Sequence, residues 1–188
     1  MLAGKTVVVG ITGGVAAHYL PELIGQLRFR HLAVVHAVLT QAARFVSPLT
    51  VAAATGTPVW TDIFEDAKRD PLAHIHLARL ADLALVAPAT FDFIGKLAAG
   101  RADDSVSLLL AATTAPVLLA PAMHDTMWAN PILRRNLETL KGIGYRIVPP
   151  ETGLQATGDV GEGRMASLGA ILAALSEMAK TIPEKQKE

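Results

Sequence analysis

Short, continuous apolar runs alternate with helical segments along the whole chain, and this alternation limits the fold more than any other feature. The first run, Thr6–Ile11, is rich in β-branched residues and typical of a strand buried on both faces. Four further strands are predicted at 32–39, 83–87, 116–120 and 145–148. Strands that alternate with helices predict a doubly wound, parallel α/β sheet of the Rossmann-like kind. A length of 188 residues fits a single domain, which we place at 1–180 with a C-terminal tail at 181–188.

Apolar residues at helical spacing fill the segments between these strands. A first helix is predicted over 15–28, with Pro21 kinking or restarting it. Further helices are predicted at 48–54, 91–99, 106–112, 130–140 and 167–180. The segment 40–45 is predicted as a turn with a short helix, whereas 58–70 and 152–165 are predicted as loops. His74 falls just before the third strand.

Composition excludes several classes of function. The chain contains no cysteine, so disulfides, thiolate metal sites and a cysteine nucleophile are excluded. Its 17 basic and 17 acidic residues cancel, so no net field favours nucleic acid or an anionic membrane. The apolar runs are too short or too interrupted to span a bilayer, and no secretory signal is seen, so we expect a cytoplasmic protein. With 51% hydrophobic and 18% charged residues, the chain is expected to form a homo-oligomer.

Unusual residues follow three of the predicted strands, at 10–14, 87–90 and 120–124. Ligands of open α/β sheets bind outside the carboxyl ends of the strands, so these segments are candidates for a binding site. The turn at Gly13 and Gly14 would let backbone N–H groups approach an anion at a helix N-terminus. It lacks the Gly-x-Gly-x-x-Gly and Gly-Lys-Ser/Thr patterns, so a plain tight turn explains it equally well.

Other candidate groups give weaker signals. His74 and His76 are two residues apart and do not share a helix face, and with no third ligand in register we expect no metal site. Asp103 and Asp104 are either a metal-binding pair or, as we favour, charges at a helix N-terminus. The chain has no Gly-x-Ser-x-Gly, so a hydrolase is not indicated.

Six segments in a fixed order give the chain a family resemblance. They include Gly-Ile-Thr-Gly-Gly-Val-Ala-Ala at 10–17, His-Ile-His-Leu at 74–77 and Pro-Ala-Met-His-Asp-Thr-Met-Trp at 121–128. The others lie at 87–100, 102–104 and 153–165. From about Lys5 to Leu175 the chain resembles the flavin mononucleotide (FMN)-dependent cysteine decarboxylases. That family includes phosphopantothenoylcysteine decarboxylase and the lantibiotic-type peptidyl-cysteine decarboxylases.

The resemblance implies a role for particular residues. It implies that FMN is held by Gly13, Gly14, Val15, Thr40, Ala43, Thr90, Phe91, Asp92 and Ala122. It implies that His74 is catalytic, and that the substrate contacts His124, Met127, Leu154, Gln155, Ala156 and Thr157. The segment around Leu154 would close over the substrate. Family members form trimers, or dodecamers built from trimers, with the flavin at a subunit interface.

Two positions depart from the family pattern. His124 stands where the family has an asparagine that is taken to bind the substrate carboxylate; a histidine can also donate a hydrogen bond there, or add charge when protonated. Thr157 stands where phosphopantothenoylcysteine decarboxylases have the cysteine that converts an enethiol intermediate to the saturated thiol. A threonine hydroxyl is neither acidic nor oxidisable near neutral pH, so the reaction is expected to stop at the enethiol.

These departures favour one hypothesis over its alternatives. The first is oxidative decarboxylation of the C-terminal cysteine of a precursor peptide to an enethiol, as in the biosynthesis of aminovinyl-cysteine peptides. The second is decarboxylation of phosphopantothenoylcysteine in coenzyme A biosynthesis. A flavin-binding regulatory protein without turnover and a flavin prenyltransferase are further alternatives.

Overall fold

Five parallel strands form the central sheet of the computed structural model, which describes residues 2–182. They are β1 (Thr6–Ile11), β2 (Val34–Leu39), β3 (Leu83–Ala89), β4 (Val117–Pro121) and β5 (Arg146–Ile147), in the spatial order β2-β1-β3-β4-β5. The order reverses direction between β1 and β3, where Val9 pairs with Leu85. The predicted doubly wound α/β fold with a parallel sheet is thereby confirmed.

Helices cover both faces of this sheet. They are α1 (Leu20–Phe29), α2 (Pro48–Thr55), α3 (Ile63–Ala67), α4 (Ala73–Leu80), α5 (Phe91–Ala98), α6 (Ser105–Ala112), α7 (Asp125–Trp128), α8 (Pro131–Gly142) and α9 (Leu168–Ala179). Val7 and Val9 of β1 pack into a core with α1, α2 and α9, whereas Val8 packs into a second core with α4, α5, α6 and α8. Because successive side chains of a strand point to opposite faces, a strand between two helical layers must be apolar throughout.

Polar side chains define where several helices begin. The carboxylate of Asp104 accepts hydrogen bonds from the N–H groups of Val106 and Ser107. The Ser107 hydroxyl oxygen accepts a hydrogen bond from the Asp104 N–H, and together these bonds form a capping box for α6. Thr90 caps α5 in the same region of the fold. Pro21 is the second residue of α1, so it restarts the helix after a 3₁₀ segment, Val15–Tyr19, rather than kinking it.

Four local predictions were wrong. Residues 40–45 form turns without a helix, and the predicted loop 58–70 contains α3 because Asp62 accepts the N–H groups of Phe64 and Glu65. His74 lies in the first turn of α4 rather than in a link to β3. The predicted loop 152–165 contains an antiparallel hairpin of β6 (Glu151–Leu154) and β7 (Val160–Arg164), whose glycines hid its alternation.

Two further predictions concern the ends of the chain and membranes. Of the tail placed at 181–188, residues 183–188 lie outside the described part of the structure. Within residues 2–182, no helix has the length and apolar character that a membrane span requires.

Candidate functional site

A cavity of about 940 Å³ opens at the carboxyl edge of the sheet, beside the reversal between β1 and β3. Its walls come from the segments that follow four strands: Thr12–Val15 after β1, Thr40–Ala42 after β2, Thr90–Phe93 after β3 and Ala122–His124 after β4. In an open α/β sheet, the helices diverge at such a reversal and leave a crevice. The topology therefore places the candidate site where the strand-end residues predicted it.

The glycine turn after β1 is packed too closely to accept side chains. A Cβ atom on Gly13 would lie 2.7 Å from the carbonyl oxygen of Ala42, and one on Gly14 would lie 3.0 Å from Cγ of Pro88. Both glycines line the cavity, so their backbone forms its floor. A floor without side chains lets a ligand approach the backbone N–H groups.

Hydrogen bonds hold the loop after β1 against the loop after β3. The Thr12 hydroxyl donates to the carbonyl oxygen of Pro88 at 2.6 Å, and the N–H of Thr90 donates to the Thr12 hydroxyl at 3.3 Å. Thr12 is 1% exposed, so these bonds lie away from water. The two loops that border the crevice are therefore fixed relative to each other before a ligand binds.

Several residues that line the cavity carry a buried polar side-chain atom without a hydrogen-bond partner. The hydroxyls of Thr40 and Ser105 and both amide atoms of Gln155 are buried without a hydrogen bond in the described part of the chain. Buried polar groups are normally paired, so such atoms indicate a polar ligand or water. Apolar side chains, including Val15, Phe91 and Ala122, line the rest of the walls. A flavin nucleotide has apolar ring faces, polar ring edges and a phosphate, and this combination of residues fits it.

An ion cluster forms part of one wall. Nζ of Lys96 lies 2.8 Å from Oδ1 of Asp103 and 2.5 Å from Oδ2 of Asp104. Burial alone would lower the pKa of Lys96, but hydrogen bonds and charge from the two carboxylates outweigh it and raise that pKa. The hydrogen bond from Lys96 in turn lowers the pKa of Asp103. Asp104 also caps α6, which confirms that this acidic pair lies at a helix N-terminus. Among residues 2–182, no group of side chains is suited to hold a metal ion.

The β6–β7 hairpin covers one side of the cavity. Leu154 at the end of β6 and the following residues Gln155, Ala156 and Thr157, which were predicted to contact the substrate, all line the cavity. The N–H of Met123 donates to the carbonyl oxygen of Gly163 at 2.9 Å, which ties the base of the hairpin to the segment after β4. Leu154 and Val160 remain 67% and 72% exposed at the far end. The hairpin is thus anchored at its base, and its turn extends over the opening.

Most of the predicted binding residues meet at this cavity. Those that line it are Gly13, Gly14, Val15, Thr40, Thr90, Phe91, Asp92, Ala122, His124, Met127, Leu154, Gln155, Ala156 and Thr157. Ala43 is buried behind the wall, and its neighbour Ala42 faces the cavity instead. His74 lines a separate cavity of about 80 Å³ with Trp60 and Asp70. Within one chain, the predicted catalytic histidine therefore does not reach the large cavity.

Some residues of the site were not predicted from the sequence. Phe45 and Phe64 line the cavity yet are 53% and 80% exposed, and the cavity-lining residue Tyr19 is exposed as well. Large apolar side chains at the rim of an opening indicate a surface that another molecule covers. Ser105 and Arg164 also line the cavity. Ser105 has no local signal, and Arg164 lies in the segment 153–165 but was not assigned a role.

Replacing Gly13 by alanine is expected to abolish the binding of flavin. The new Cβ would lie 2.7 Å from the Ala42 carbonyl oxygen, so the two loops that form the floor would have to separate. The absorbance of bound flavin per protein and the thermal unfolding midpoint measure the effect. Gly25→Ala is a matched control, since nothing lies within 4 Å of its Cβ in α1. Equal flavin content in Gly13→Ala and the unmodified protein would contradict the assignment.

Comparison with known proteins agrees with this geometry. A family model described as Flavoprotein matches residues 1–180. The coenzyme A biosynthesis bifunctional protein CoaBC of Haemophilus influenzae is 45% identical over 177 residues, which cover 94% of this chain and 44% of the relative. CoaBC of Escherichia coli K12 is 44% identical over 165 residues, which cover 87% of this chain and 40% of the relative. The chain thus spans less than half the length of these curated relatives.

Solved structures agree as well. A cysteine-to-serine mutant of PPC decarboxylase, complexed with pantothenoylaminoethenethiol, matches with a TM-score of 0.84 and 30% identity over 95% of this chain and 100% of that one. The FMN-dependent cysteine decarboxylase SpaF matches with a TM-score of 0.81 and 32% identity over 95% of this chain and 99% of that one. The resemblance to flavin-dependent cysteine decarboxylases is confirmed, and the chain belongs to the Flavoprotein family.

Proposed function

We propose that the protein is an FMN-dependent decarboxylase of phosphopantothenoylcysteine. The observation that carries this proposal is the 44% to 45% identity to CoaBC proteins over 87% to 94% of the chain. The similarity to a PPC decarboxylase with an aminoethenethiol ligand supports the same substrate. These comparisons favour the second of the sequence-based hypotheses over decarboxylation of a peptide.

The cavity residues suit the binding of FMN. The backbone of Gly13, Gly14 and Val15 would hold it from the β1 side, with the unpartnered Thr40 hydroxyl as a further donor. Thr90, Phe91 and Asp92 would contact it from the β3 side, and Ala122 would lie against its ring. When bound, FMN would oxidise the thiol-bearing carbon of the substrate, which lets the neighbouring carboxylate leave as carbon dioxide.

The remaining cavity residues would bind and enclose the substrate. His124 and Met127 lie after β4, on the side where the β6–β7 hairpin is anchored. Gln155, with both amide atoms unpartnered, would find hydrogen-bond partners on a ligand beneath the hairpin. Closure of the hairpin would exclude water from the carbon that loses its carboxylate.

A second copy of the chain would complete the site. His74 does not line the large cavity of its own chain, and the cavity rim carries exposed Phe45 and Phe64. A neighbouring subunit packed on this rim would cover the apolar side chains and could bring its own His74 to the flavin. We therefore propose a homo-oligomer, either a trimer or a dodecamer built from trimers, with the flavin at the interface.

Peptide decarboxylation is the second candidate. It is favoured by Thr157, which replaces the cysteine expected in a phosphopantothenoylcysteine decarboxylase. A regulatory protein without turnover agrees less well with relatives that are named as decarboxylases and biosynthetic enzymes.

Mass spectrometry distinguishes the two substrates. We expect flavin-loaded protein to remove carbon dioxide from phosphopantothenoylcysteine and to leave a peptide that ends in cysteine unchanged. The same compounds with serine in place of cysteine are controls, because they keep the carboxylate and lack the oxidisable thiol. Loss of carbon dioxide from the peptide alone would overturn the proposed substrate in favour of the second candidate.

A further inference from the structure

Two of the charges in the wall of the large cavity are well shielded from water. The side chains of Lys96 and Asp104 are 16% and 14% exposed, whereas that of Arg164, another cavity residue, is 53% exposed. Lys96 also pairs with Asp103, which is 44% exposed, and we call Lys96, Asp103 and Asp104 the Lys96 cluster. Salt and water screen buried charges much less than exposed ones. The Lys96 cluster can therefore act strongly on a molecule bound in the cavity.

The Lys96 cluster presents one positive and two negative charges to the cavity. All three of its residues line the cavity, whereas Arg101, which contacts Asp103 from the other side, does not and is 65% exposed. Burial opposes the charge on Lys96, but the two carboxylates outweigh it and raise the pKa of Lys96. The hydrogen bond from Lys96 lowers the pKa of Asp103. Lys96 and Asp103 therefore stay charged throughout the neutral range of pH.

The Lys96 cluster lies on the same wall as residues assigned to FMN. Lys96 is four residues after Asp92 in α5, so the two occupy the same face of this helix. Phe91 and Asp92 follow β3 at the point where FMN would make contact, and both line the cavity together with Lys96. The charges of the cluster are therefore carried by a wall that the bound flavin would touch.

An unpartnered hydroxyl indicates that a polar part of the ligand faces this wall. Ser105 follows Asp104 as the first residue of α6 and lines the cavity. Its Oγ is buried and has no hydrogen-bond partner within residues 2–182. The phosphate of FMN has a separate place, at the backbone N–H groups of Gly13 and Gly14. The polar edge of the flavin ring, with its nitrogen atoms and carbonyl oxygens, is then the part that would face Ser105 and Lys96.

We propose that the Lys96 cluster sets the reduction potential of the bound FMN. Reduction of a flavin by two electrons and one proton adds one negative charge to its ring. A nearby ammonium stabilises this charge and raises the potential, whereas a nearby carboxylate destabilises it and lowers the potential. Because Asp103 and Asp104 offset Lys96, the bound ring can give up electrons as well as accept them. The proposal concerns the flavin alone and does not depend on which cysteine compound is the substrate.

The reduction potential of the FMN-loaded protein can be measured without any turnover. Titration with dithionite beside a reference dye, in the absence of oxygen, gives this potential from the absorbance spectrum. Asp103→Asn removes an exposed carboxylate and leaves Asp104 to pair with Lys96 and to cap α6, so the fold should be kept. We expect its affinity for reduced over oxidised FMN to rise about tenfold, which corresponds to a potential about 30 mV higher.

Variants of Lys96 should shift the potential in the opposite direction. Lys96→Gln removes the ammonium and is expected to lower the potential by a similar amount, whereas Lys96→Arg keeps the charge and should keep the unmodified value. Glu138→Gln is the matched control, because it removes an exposed carboxylate that pairs with Lys141 away from the cavity lining, and it should leave the potential unchanged. If Lys96→Gln fails to fold or to bind FMN, the shift in Asp103→Asn decides the inference by itself.

The sign of the two shifts separates an effect of charge from an effect of structure. Opposite shifts in Asp103→Asn and Lys96→Gln support the inference, because a loss of packing has no reason to follow the sign of the charge removed. An unchanged potential in Asp103→Asn, or shifts of the same sign in both variants, would overturn it. Tighter binding of oxidised and reduced FMN by the same factor in Asp103→Asn would place the phosphate rather than the ring beside the cluster, and would overturn it as well.

Discussion

The His74→Asn protein should lose turnover by at least about a hundredfold while remaining loaded with flavin, since positioned acid–base groups contribute that much or more. His74 lines a small cavity with Trp60 and Asp70 and does not line the large cavity, so its loss should leave flavin binding intact. Turnover of phosphopantothenoylcysteine and the flavin absorbance per protein measure the two effects. His76→Asn is the matched control, because His76 lies on the same helix but on a different face.

Mixed oligomers give a sharper form of this experiment. If His74 acts on the flavin of a neighbouring subunit, His74→Asn chains and Gly13→Ala chains are each inactive, but together they restore some turnover. In the mixed oligomer, an intact flavin cavity on one chain meets an intact His74 on another. Heteromers that form and stay inactive would contradict an interfacial site. Flavin loss in the His74→Asn protein would instead indicate a structural role for this histidine.

Thr157→Cys should change the product of the reaction. We expect the unmodified protein to release an enethiol, with the substrate losing carbon dioxide and two hydrogens, and the Thr157→Cys protein to release the saturated thiol, with loss of carbon dioxide alone. A thiol near neutral pH can take part in the return of two electrons and two protons, whereas a hydroxyl cannot. The complex of a cysteine-to-serine PPC decarboxylase mutant with an aminoethenethiol is consistent with this expectation.

The fold should tolerate this substitution. Thr157 is an exposed residue in the turn of the hairpin, which is closed by hydrogen bonds from the N–H of Gln155 to Asp159 and from the N–H of Gly158 to Gln155. Thr157→Ser keeps the hydroxyl and is the control, with an unchanged enethiol product. Mass spectrometry of the products gives the answer. A saturated thiol from the unmodified protein would show that position 157 needs no cysteine.

Some of the candidate site could be predicted from local sequence. Gly13, Thr90 and Ala122 lie within two residues of the ends of apolar runs that a buried strand explains, and the carboxyl ends of parallel strands meet at one edge of the sheet. The strand predictions therefore place these residues at the carboxyl edge of the sheet. The hairpin was harder to recognise, because Gly153, Gly161 and Gly163 remove the side chains that would have shown alternation.

Other features depend on contacts between distant parts of the chain. The hydrogen bond from Thr12 to Pro88 joins residues 76 positions apart, and the pairing of Lys96 with Asp104 depends on how the segment between α5 and α6 folds back. Asp104 combines two roles, as the cap of α6 and as a partner of Lys96, and only the first has a local sequence signal. Such contacts follow from packing, which no periodic pattern encodes.

The sequence by itself determined the parallel α/β fold and the edge of the sheet at which a ligand is expected to bind. It also showed that His124 and Thr157 differ from the residues that the family pattern has at these positions. It could do so because strand burial and strand-end chemistry are local properties of the chain. The tertiary structure alone decided that His74 lies outside the large cavity and that Asp104 pairs with Lys96 as well as capping α6. Both depend on side-chain direction and packing, and these are fixed only when the whole chain has folded.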